Sequence, residues 1–335
     1  MKAWRIHQFG VEGLQLDELT TPEPAAGEVR VDLTAQSINY RDLMMIEGHY
    51  NPKQPLPLIP GSDGVGEVAE VGSKELEHLL GLRVSTVFAP YWLDGPPRYT
   101  VVRNTLGGPL SGTLAESIVL PASGVVEVPV HLSDTEAATL PCAGVTAWNA
   151  VMNICEIGPG SRVLIEGSGG VSVFALQFAK LAGAKVFATS SSDDKLKRLQ
   201  ELGADEVVNY RTTQDWGRVA RQWAGGAGVD LVVDVGGAKT LPQALAAIKM
   251  GGTIAIIGVL SGAESLFSVV PVLMGQIRLQ GVIVGHRRSH EVMLERMGQK
   301  RLRPIVDQVF AFEELPAAIG HMAAGDHFGK VALAT

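Results

Sequence analysis

Arg162-Val163-Leu164-Ile165-Glu166-Gly167-Ser168-Gly169-Gly170-Val171-Ser172 is the stretch on which the reading of the fold turns. An apolar, β-branched run leads directly into Gly167-x-Gly169, and a helical pattern follows from Val171 to Ala182. That order of strand, glycine turn and helix is what a dinucleotide pyrophosphate needs. Gly167 permits the tight turn, and Gly169 lets the backbone approach the phosphates. The uncapped N–H groups of Ser168, Gly169, Gly170 and Val171 then face the anion at the positive end of the helix. Ser172 stands where a third glycine is usual, and its side chain is small enough for close helix–strand packing.

Outward from this turn, short apolar runs alternate with helical stretches. The runs are Val163–Ile165, Val186–Ala188, Val207-Val208, Leu231–Val233, Ile254–Ile257 and Val282–Val284. Recurrence at roughly 20–25 residues predicts βα units and a doubly wound, parallel, six-stranded Rossmann sheet, with strands covered on both faces. The first part of the chain reads differently. Val29, Val31 and Leu33 alternate with Arg30, Asp32 and Thr34, and Pro and Gly punctuate the segments between, so a small β-rich barrel or rolled sheet is expected. Gly61-Ser62-Asp63-Gly64-Val65-Gly66 leads into an alternating strand with no helix after it, and reads as a barrel turn. The texture changes near Val126. Ser133 and Glu136 are placed as a capping box, a helix is expected over Ser289 to Lys300, and a last strand over Val331–Leu333.

Composition narrows the function classes. The chain has 335 residues, 28 Lys and Arg against 35 Asp and Glu, and a net charge of −7 with no basic block, which argues against a nucleic-acid binder. Its two cysteines, Cys142 and Cys155, make neither a disulfide framework nor a four-cysteine metal site. No apolar run approaches the ~18 residues of a membrane span, and Met1–His7 lacks the apolar stretch of a signal peptide. The expected setting is soluble, reducing and cytoplasmic, with no membrane partner.

The second strand of the Rossmann pattern ends Ala188-Thr189-Ser190-Ser191-Ser192, where an NAD site would carry an acid for the ribose 2′-hydroxyl. Asp193 and Asp194 come later and read as caps of the next helix. Small hydroxyls at Ser190 and Ser191, Lys195 one turn on, and Tyr210 at the end of the third strand form a constellation suited to a 2′-phosphate. The cofactor expected is NADPH.

The whole chain resembles the medium-chain dehydrogenase/reductase superfamily, in its zinc-free quinone oxidoreductase-like branch. The resemblance rests on Ile38-Asn39-Tyr40-Arg41-Asp42, Pro60–Gly66, Pro141-Cys142-Ala143-Gly144-Val145-Thr146-Ala147-Trp148, the Gly167 turn and Phe328-Gly329-Lys330-Val331, in the family's order. It implies an α/β chain with a GroES-like, β-rich catalytic domain over residues 1–126 and 290–335 and a Rossmann domain over 127–289. Zinc enzymes of the superfamily hold the catalytic metal through two Cys and one His. The matching positions here are Asn39, Ser62 and Cys142, and one thiolate does not make a zinc site. No metal is therefore expected. Without a Lewis acid, a quinone or an α,β-unsaturated carbonyl remains a competent hydride acceptor, because it is electrophilic at carbon already. The resemblance gives Asn39 as donor to the developing enolate oxygen, Tyr40 as a substrate contact and Thr146 as a neighbour of the nicotinamide. Gly258-Val259 after the fifth strand and Val284-Gly285 after the sixth are the expected further cofactor wall. Phe328 and Lys330 match a segment that closes over the cofactor, with Lys330 toward a phosphate. The sixth strand, Leu279 to Gly285, lies at a sheet edge and implies a homodimer. The alternatives on the same fold are a zinc-free alcohol or aldehyde reductase and a non-catalytic, crystallin-like nucleotide-sensing protein.

Overall fold

The computed structural model describes residues 1–335 and resolves them into two units, Met1–Val145 with Gly285–Thr335, and Thr146–Val284. The first unit begins with strands β1 (Lys2–Ile6), β2 (Leu14–Glu18), β3 (Glu28–Ile38), β4 (Asp63–Val71), β5 (Arg83–Thr86), β6 (Ser117–Pro121) and β7 (Val125–Glu127). The second holds β8 (Arg162–Glu166), β9 (Lys185–Ser190), β10 (Glu206–Asn209), β11 (Val229–Asp234), β12 (Ile248–Ile256) and β13 (Arg278–Gly281), and β14 (Val306–Ala311) and β15 (Lys330–Ala334) return to the first. The helices are α1 (Tyr40–Ile46), α2 (Tyr99–Val102), α3 (Asp134–Ala138), α4 (Val145–Trp148), α5 (Gly170–Leu181), α6 (Asp193–Glu201), α7 (Trp216–Trp223), α8 (Leu241–Ala247), α9 (Val270–Gly275), α10 (Arg287–Lys300) and α11 (Leu315–Ala324).

The period-two pattern of β3 becomes its pleat. Val29, Val31 and Leu33 are buried, while Asp32 and Thr34 face water. β3 is the hub of a sheet in the order β14-β15-β3-β4-β5-β7, with β6 on β3 as well. One side of this unit is filled by Trp4, Ile6, Met45, Phe312 and Leu333, and the Trp4 indole N–H donates to Phe312 O at 2.9 Å. A Cβ at Gly66 would meet Asp32 O at 2.0 Å, and the cluster read as a barrel turn is one only at Gly61 and Ser62, because β4 already begins at Asp63.

The expected border near residue 126 falls later, at Val145. The physical reason is α3, whose Ser133–Glu136 capping box forms as read and which packs on β3, β4 and β15 of the first unit. The return border is at Gly285 rather than 290, because α10 already starts at Arg287 behind a His286 cap.

In the second unit β8, β9, β11 and β12 bury their apolar residues on both faces, as parallel strands do, apart from the exposed Met250 near the start of β12. The order β10-β9-β8-β11-β12-β13, all parallel, is 3-2-1-4-5-6 in sequence terms, so the chain reverses its direction of travel between β8 and β11. Two details differ from the sequence reading. The sixth strand ends at Gly281; Val282 still donates its N–H to Ile256 O at 3.0 Å, and beyond it Val284 turns to φ +43 with its carbonyl held by Asn149 Nδ2 at 2.8 Å. Ser192, not Asp193 or Asp194, caps α6, and the two acids fill its first turn. No helix is long and apolar enough to cross a membrane.

Candidate functional site

In the first unit the turn from β3 into α1 and the start of β4 bring Asn39, Asp42, Ser62 and Asp63 together. Asp63 and Ser62 are fully enclosed, and β15 adds Lys330 at 3% exposure. Lys330 Nζ donates to Ile38 O at 2.7 Å and to Asn39 Oδ1 at 2.5 Å, and lies 3.5 Å from Asp63 Oδ2. Asn39 Nδ2 donates to Asp63 Oδ2 at 2.9 Å, and Ser62 Oγ donates to Asp63 Oδ1 at 3.0 Å. An ammonium on one side and a carboxylate on the other fix which end of the Asn39 amide is oxygen. Its second N–H remains available to a further acceptor.

Burial pushes the Asp63 carboxyl above its ordinary range, and Lys330 and the Asn39 amide pull it back. Burial likewise raises Asp42, to about 6, against the pull of the neighbouring Arg41; Asp42 accepts the Asn39 backbone N–H at 2.8 Å and so caps α1. Arg41 is itself buried, donating to Leu106 O and Gly108 O, each at 2.8 Å. Cys142 lies in a wide helical turn ahead of α4, where burial pushes its thiol up and Asp63 adds to the shift, so it is a thiol and not a thiolate. Tyr40, at the first position of α1, is exposed.

These contacts correct one expectation. Lys330 does not reach outward to a phosphate; its ammonium is turned in and shared among Ile38, Asn39 and Asp63. Phe328, expected to cover a cofactor, is 1% exposed and part of the unit's interior.

In the second unit the glycine turn takes the geometry a pyrophosphate needs. Gly167 has φ +76, and a Cβ there would find only Ser172 Oγ, at 3.9 Å. Gly169 caps α5 with extended backbone and no side chain in front of the first N–H groups. Ser172, at the third-glycine position, is buried and donates to Glu166 O at 2.7 Å, so it binds the helix to the strand end instead of spoiling the packing. Ser190 ends β9 buried, Ser191 and Lys195 are half-buried, and Tyr210, just past β10, is exposed with its N–H on Ser190 O at 3.1 Å. Asp193 stands nearby, held by Asn209 Nδ2 at 2.7 Å. Gly258 and Val259 follow β12 at the same end of the sheet, Thr146 is buried in α4, and Val284 and Gly285 flank the border between the units.

Sequence reading missed the partners that set this chemistry: Asp63 with Lys330 in the first unit, and Glu166 with Asp234 in the second. The signal for the second pair was an acid ending each of two apolar runs, Glu166 before Gly167 and Asp234 before Gly236-Gly237.

Comparison with known proteins fits this geometry. Residues 25–130 match the alcohol dehydrogenase GroES-like domain, and residues 170–299 match the zinc-binding dehydrogenase family. A zinc-type alcohol dehydrogenase-like protein of Schizosaccharomyces pombe is 40% identical over 97% of this chain and 96% of its own. An acryloyl-coenzyme A reductase of Metallosphaera sedula is 28% identical over 97% of this chain and 97% of its own. A solved structure of an NAD-dependent alcohol dehydrogenase superposes with a TM-score of 0.91 at 36% identity, covering 100% of both chains.

Proposed function

The chain belongs to the medium-chain dehydrogenase/reductase superfamily, as a GroES-like domain joined to a Rossmann domain, and from that premise we propose a zinc-independent, NADPH-dependent oxidoreductase that reduces quinones or activated α,β-unsaturated carbonyls. The observation that carries the proposal is the Asn39–Asp63–Lys330 cluster. A zinc needs three or four lone-pair donors of N, S or carboxylate type. Here the Asn39 oxygen is held by an ammonium, the Ser62 hydroxyl donates to Asp63, and the Cys142 thiol keeps its proton. A cation already stands among them, and no group of three His, Cys, Asp or Glu side chains converges. The residues do not fit the metal that the family's description names.

They fit the organic cofactor. The open Gly167 cradle and the α5 N-terminus receive the pyrophosphate; Ser191, Lys195 and Tyr210 take the 2′-phosphate, with Ser190 as the buried floor beneath them. When bound, reduced nicotinamide supplies a hydride. Asn39, polarised by Lys330, offers its remaining N–H to the oxygen on which negative charge develops. Tyr40 is the exposed side chain beside it, and Thr146 borders the nicotinamide. A second copy of the chain completes the assembly. α9, Val270-Pro271-Val272-Leu273-Met274-Gly275, buries none of its residues, and Leu273, Met274 and Ile283 lie exposed around the edge strand β13.

The test is cofactor oxidation against quinones, enones and aldehydes in the presence of a chelator. Turnover of the first two, unaffected by chelation and lowered on the order of 10²-fold by Asn39→Ala, is the expected result. An Asn39→Ala variant with full activity overturns the donor assignment. The alcohol dehydrogenase names of the relatives favour a second reading, a zinc-free alcohol or aldehyde reductase, which turnover of aldehydes alone would select.

A further inference from the structure

Glu166 and Asp234 end two neighbouring parallel strands at the point where the sheet order reverses. The β8–β11 register pairs Ile165 with Val233, so the next residue on each strand is an acid, and paired residues of parallel strands share a face. Both side chains are buried, at 4% and 0% exposure, and the Asp234 carboxylate is close enough to raise Glu166. Glu166 Oε1 and Asp234 Oδ2 are both buried with no hydrogen-bond partner. Two bare carboxylate oxygens repel, and a single proton between them would give each of these orphan oxygens the other as its partner. The other two oxygens have turn partners: Glu166 Oε2 accepts from Gly236 N at 3.4 Å, and Asp234 Oδ1 accepts from Gly237 N at 2.7 Å and Thr240 Oγ1 at 2.9 Å.

No cation compensates the pair. Around it β9 presents Thr189 and the β11–α8 turn presents Thr240, while α8 has no ionisable residue. The lysines of these elements are elsewhere: Lys239 is exposed, Lys180 of α5 pairs with Asp205, and Lys185 begins β9 at its far end. Burial first, and the Asp234 charge second, hold Glu166 well above the usual carboxylate range.

We propose that Glu166 and Asp234 share one proton, and that this O–H···O clasp ties the β8–α5 glycine turn to the β11–α8 turn, making the two acids positioning residues for the dinucleotide. The clasp acts on both turns at once. Glu166 carries Gly167 next in sequence, with its carbonyl holding Ser172 of α5, and Asp234 carries the turn from Val235 to Thr240 and accepts Ile257 N through its carbonyl. Loss of the proton leaves two buried negative charges in contact and drives the two strand ends apart. The cofactor part of the inference rests on the dinucleotide reading above; the shared proton does not.

Three measurements separate the parts. The infrared carbonyl band of a protonated carboxylic acid should persist in wild type at neutral pH, and part of it should vanish in Glu166→Gln. Melting temperature of the cofactor-free protein should fall with rising pH in wild type. The folded state holds a proton that the unfolded chain releases, which costs up to tenfold in the folding constant per pH unit until the pair ionises. Glu166→Gln supplies an amide N–H to Asp234 in place of the proton and should flatten that slope; Asp234→Asn supplies one to Glu166 and should do the same. Titration with NADPH at each pH should show affinity falling in wild type as the pair ionises and level in both amide variants. Equal pH slopes in wild type and the amide variants, or no band lost in Glu166→Gln, overturn the shared proton. Should Glu166→Gln not fold, Asp234→Asn decides by the same readings. Flattened melting curves with an NADPH affinity that never depended on pH overturn the positioning role alone, and absence of NADPH binding by wild type at every pH refutes the dinucleotide reading while leaving the proton to the other two measurements.

Discussion

Replacing Lys330 by Met removes a cation from a place where nothing can substitute for it. The ammonium is 4% exposed, its partner Asp63 is 0% exposed, and they stand 3.5 Å apart, so water neither screens the pair nor reaches the survivor. Breaking one partner out of a buried pair costs about 3–5 kcal/mol, because the remaining charge is left uncompensated. Asp63 keeps two donors, Asn39 Nδ2 at 2.9 Å and Ser62 Oγ at 3.0 Å, which places Lys330→Met toward the lower end, about 3 kcal/mol or a little over 100-fold in the folding constant.

The defect should depend on pH, with a definite sign. Burial already lifts the Asp63 carboxyl, and Lys330 is the largest influence holding it down. Without the lysine the acid rises further and takes a proton in the folded state. A carboxyl raised by folding favours the folded state below its folded pKa and loses that advantage as pH climbs through it. Lys330→Met should therefore be least harmful near pH 5 and most harmful near pH 8. Adding Asp63→Asn should restore much of the loss, since the neutral amide then in place of the carboxylate can accept from Asn39 through its oxygen and donate to the Ser62 hydroxyl through its nitrogen while leaving no buried charge, giving a coupling of about 2 kcal/mol in the double-mutant cycle. Urea titrations of wild type, both single variants and the double variant at three pH values measure this. A Lys330→Met cost below about 1 kcal/mol, or one that does not change with pH, would refute the view that a buried ammonium neutralises the cluster.

Elemental analysis of the purified protein should find no stoichiometric zinc, and about one zinc per chain with activity lost to a chelator would sink the proposed metal independence. NADPH should bind more tightly than NADH, and Lys195→Ala should weaken NADPH about tenfold to a hundredfold while sparing NADH, as expected for one charge-assisted contact of roughly 1.5–3 kcal/mol; equal weakening of both would dismiss Lys195 as the phosphate ligand. Light scattering should report a dimer that Leu273→Asp or Ile283→Asp dissociates, and a ~35 kDa particle from wild type at micromolar concentration contradicts the edge-to-edge assembly. Asp42→Asn should gain stability over wild type as pH rises through about 6, because the buried Asp42 carboxyl is raised to that value and its ionisation disfavours the folded state; thermal melts between pH 4 and 8 that run parallel would exclude this.

What was legible in the sequence was what local chemistry dictates. The run into Gly167 declared strand, turn and helix because each residue type there has few backbone alternatives, and the runs of Val and Ile declared a sheet covered on both faces. The sixth strand, expected over Leu279 to Gly285, was carried four residues past its end at Gly281 because Val282-Ile283-Val284 has every local mark of a strand. Past Gly281 the Val284 carbonyl goes to Asn149, more than a hundred residues away, a partner that no local pattern announces. The caps divide in the same manner. Ser133 and Glu136 are three residues apart and could be read as a box, whereas the choice of Ser192 over Asp193 depends on where the strand lets the helix begin.

The site follows the same rule one level up. Asn39, Ser62 and Cys142 could be read as positions that no longer suit a metal, since that takes only residue identities. That the vacancy in charge is filled could not, because Lys330 lies 291 residues from the Asn39 side chain it touches. An Asn and a Ser in place of ionised ligands would leave Asp63 as an isolated buried anion, and such a charge is not tolerated without a partner. A lysine from the last strand is that partner, and it commits its ammonium inward to Asp63. The phosphate role the sequence suggested for Lys330 and the neutralising role the structure gives it compete for one positive charge, and the buried acid, 3.5 Å away and without another cation, wins.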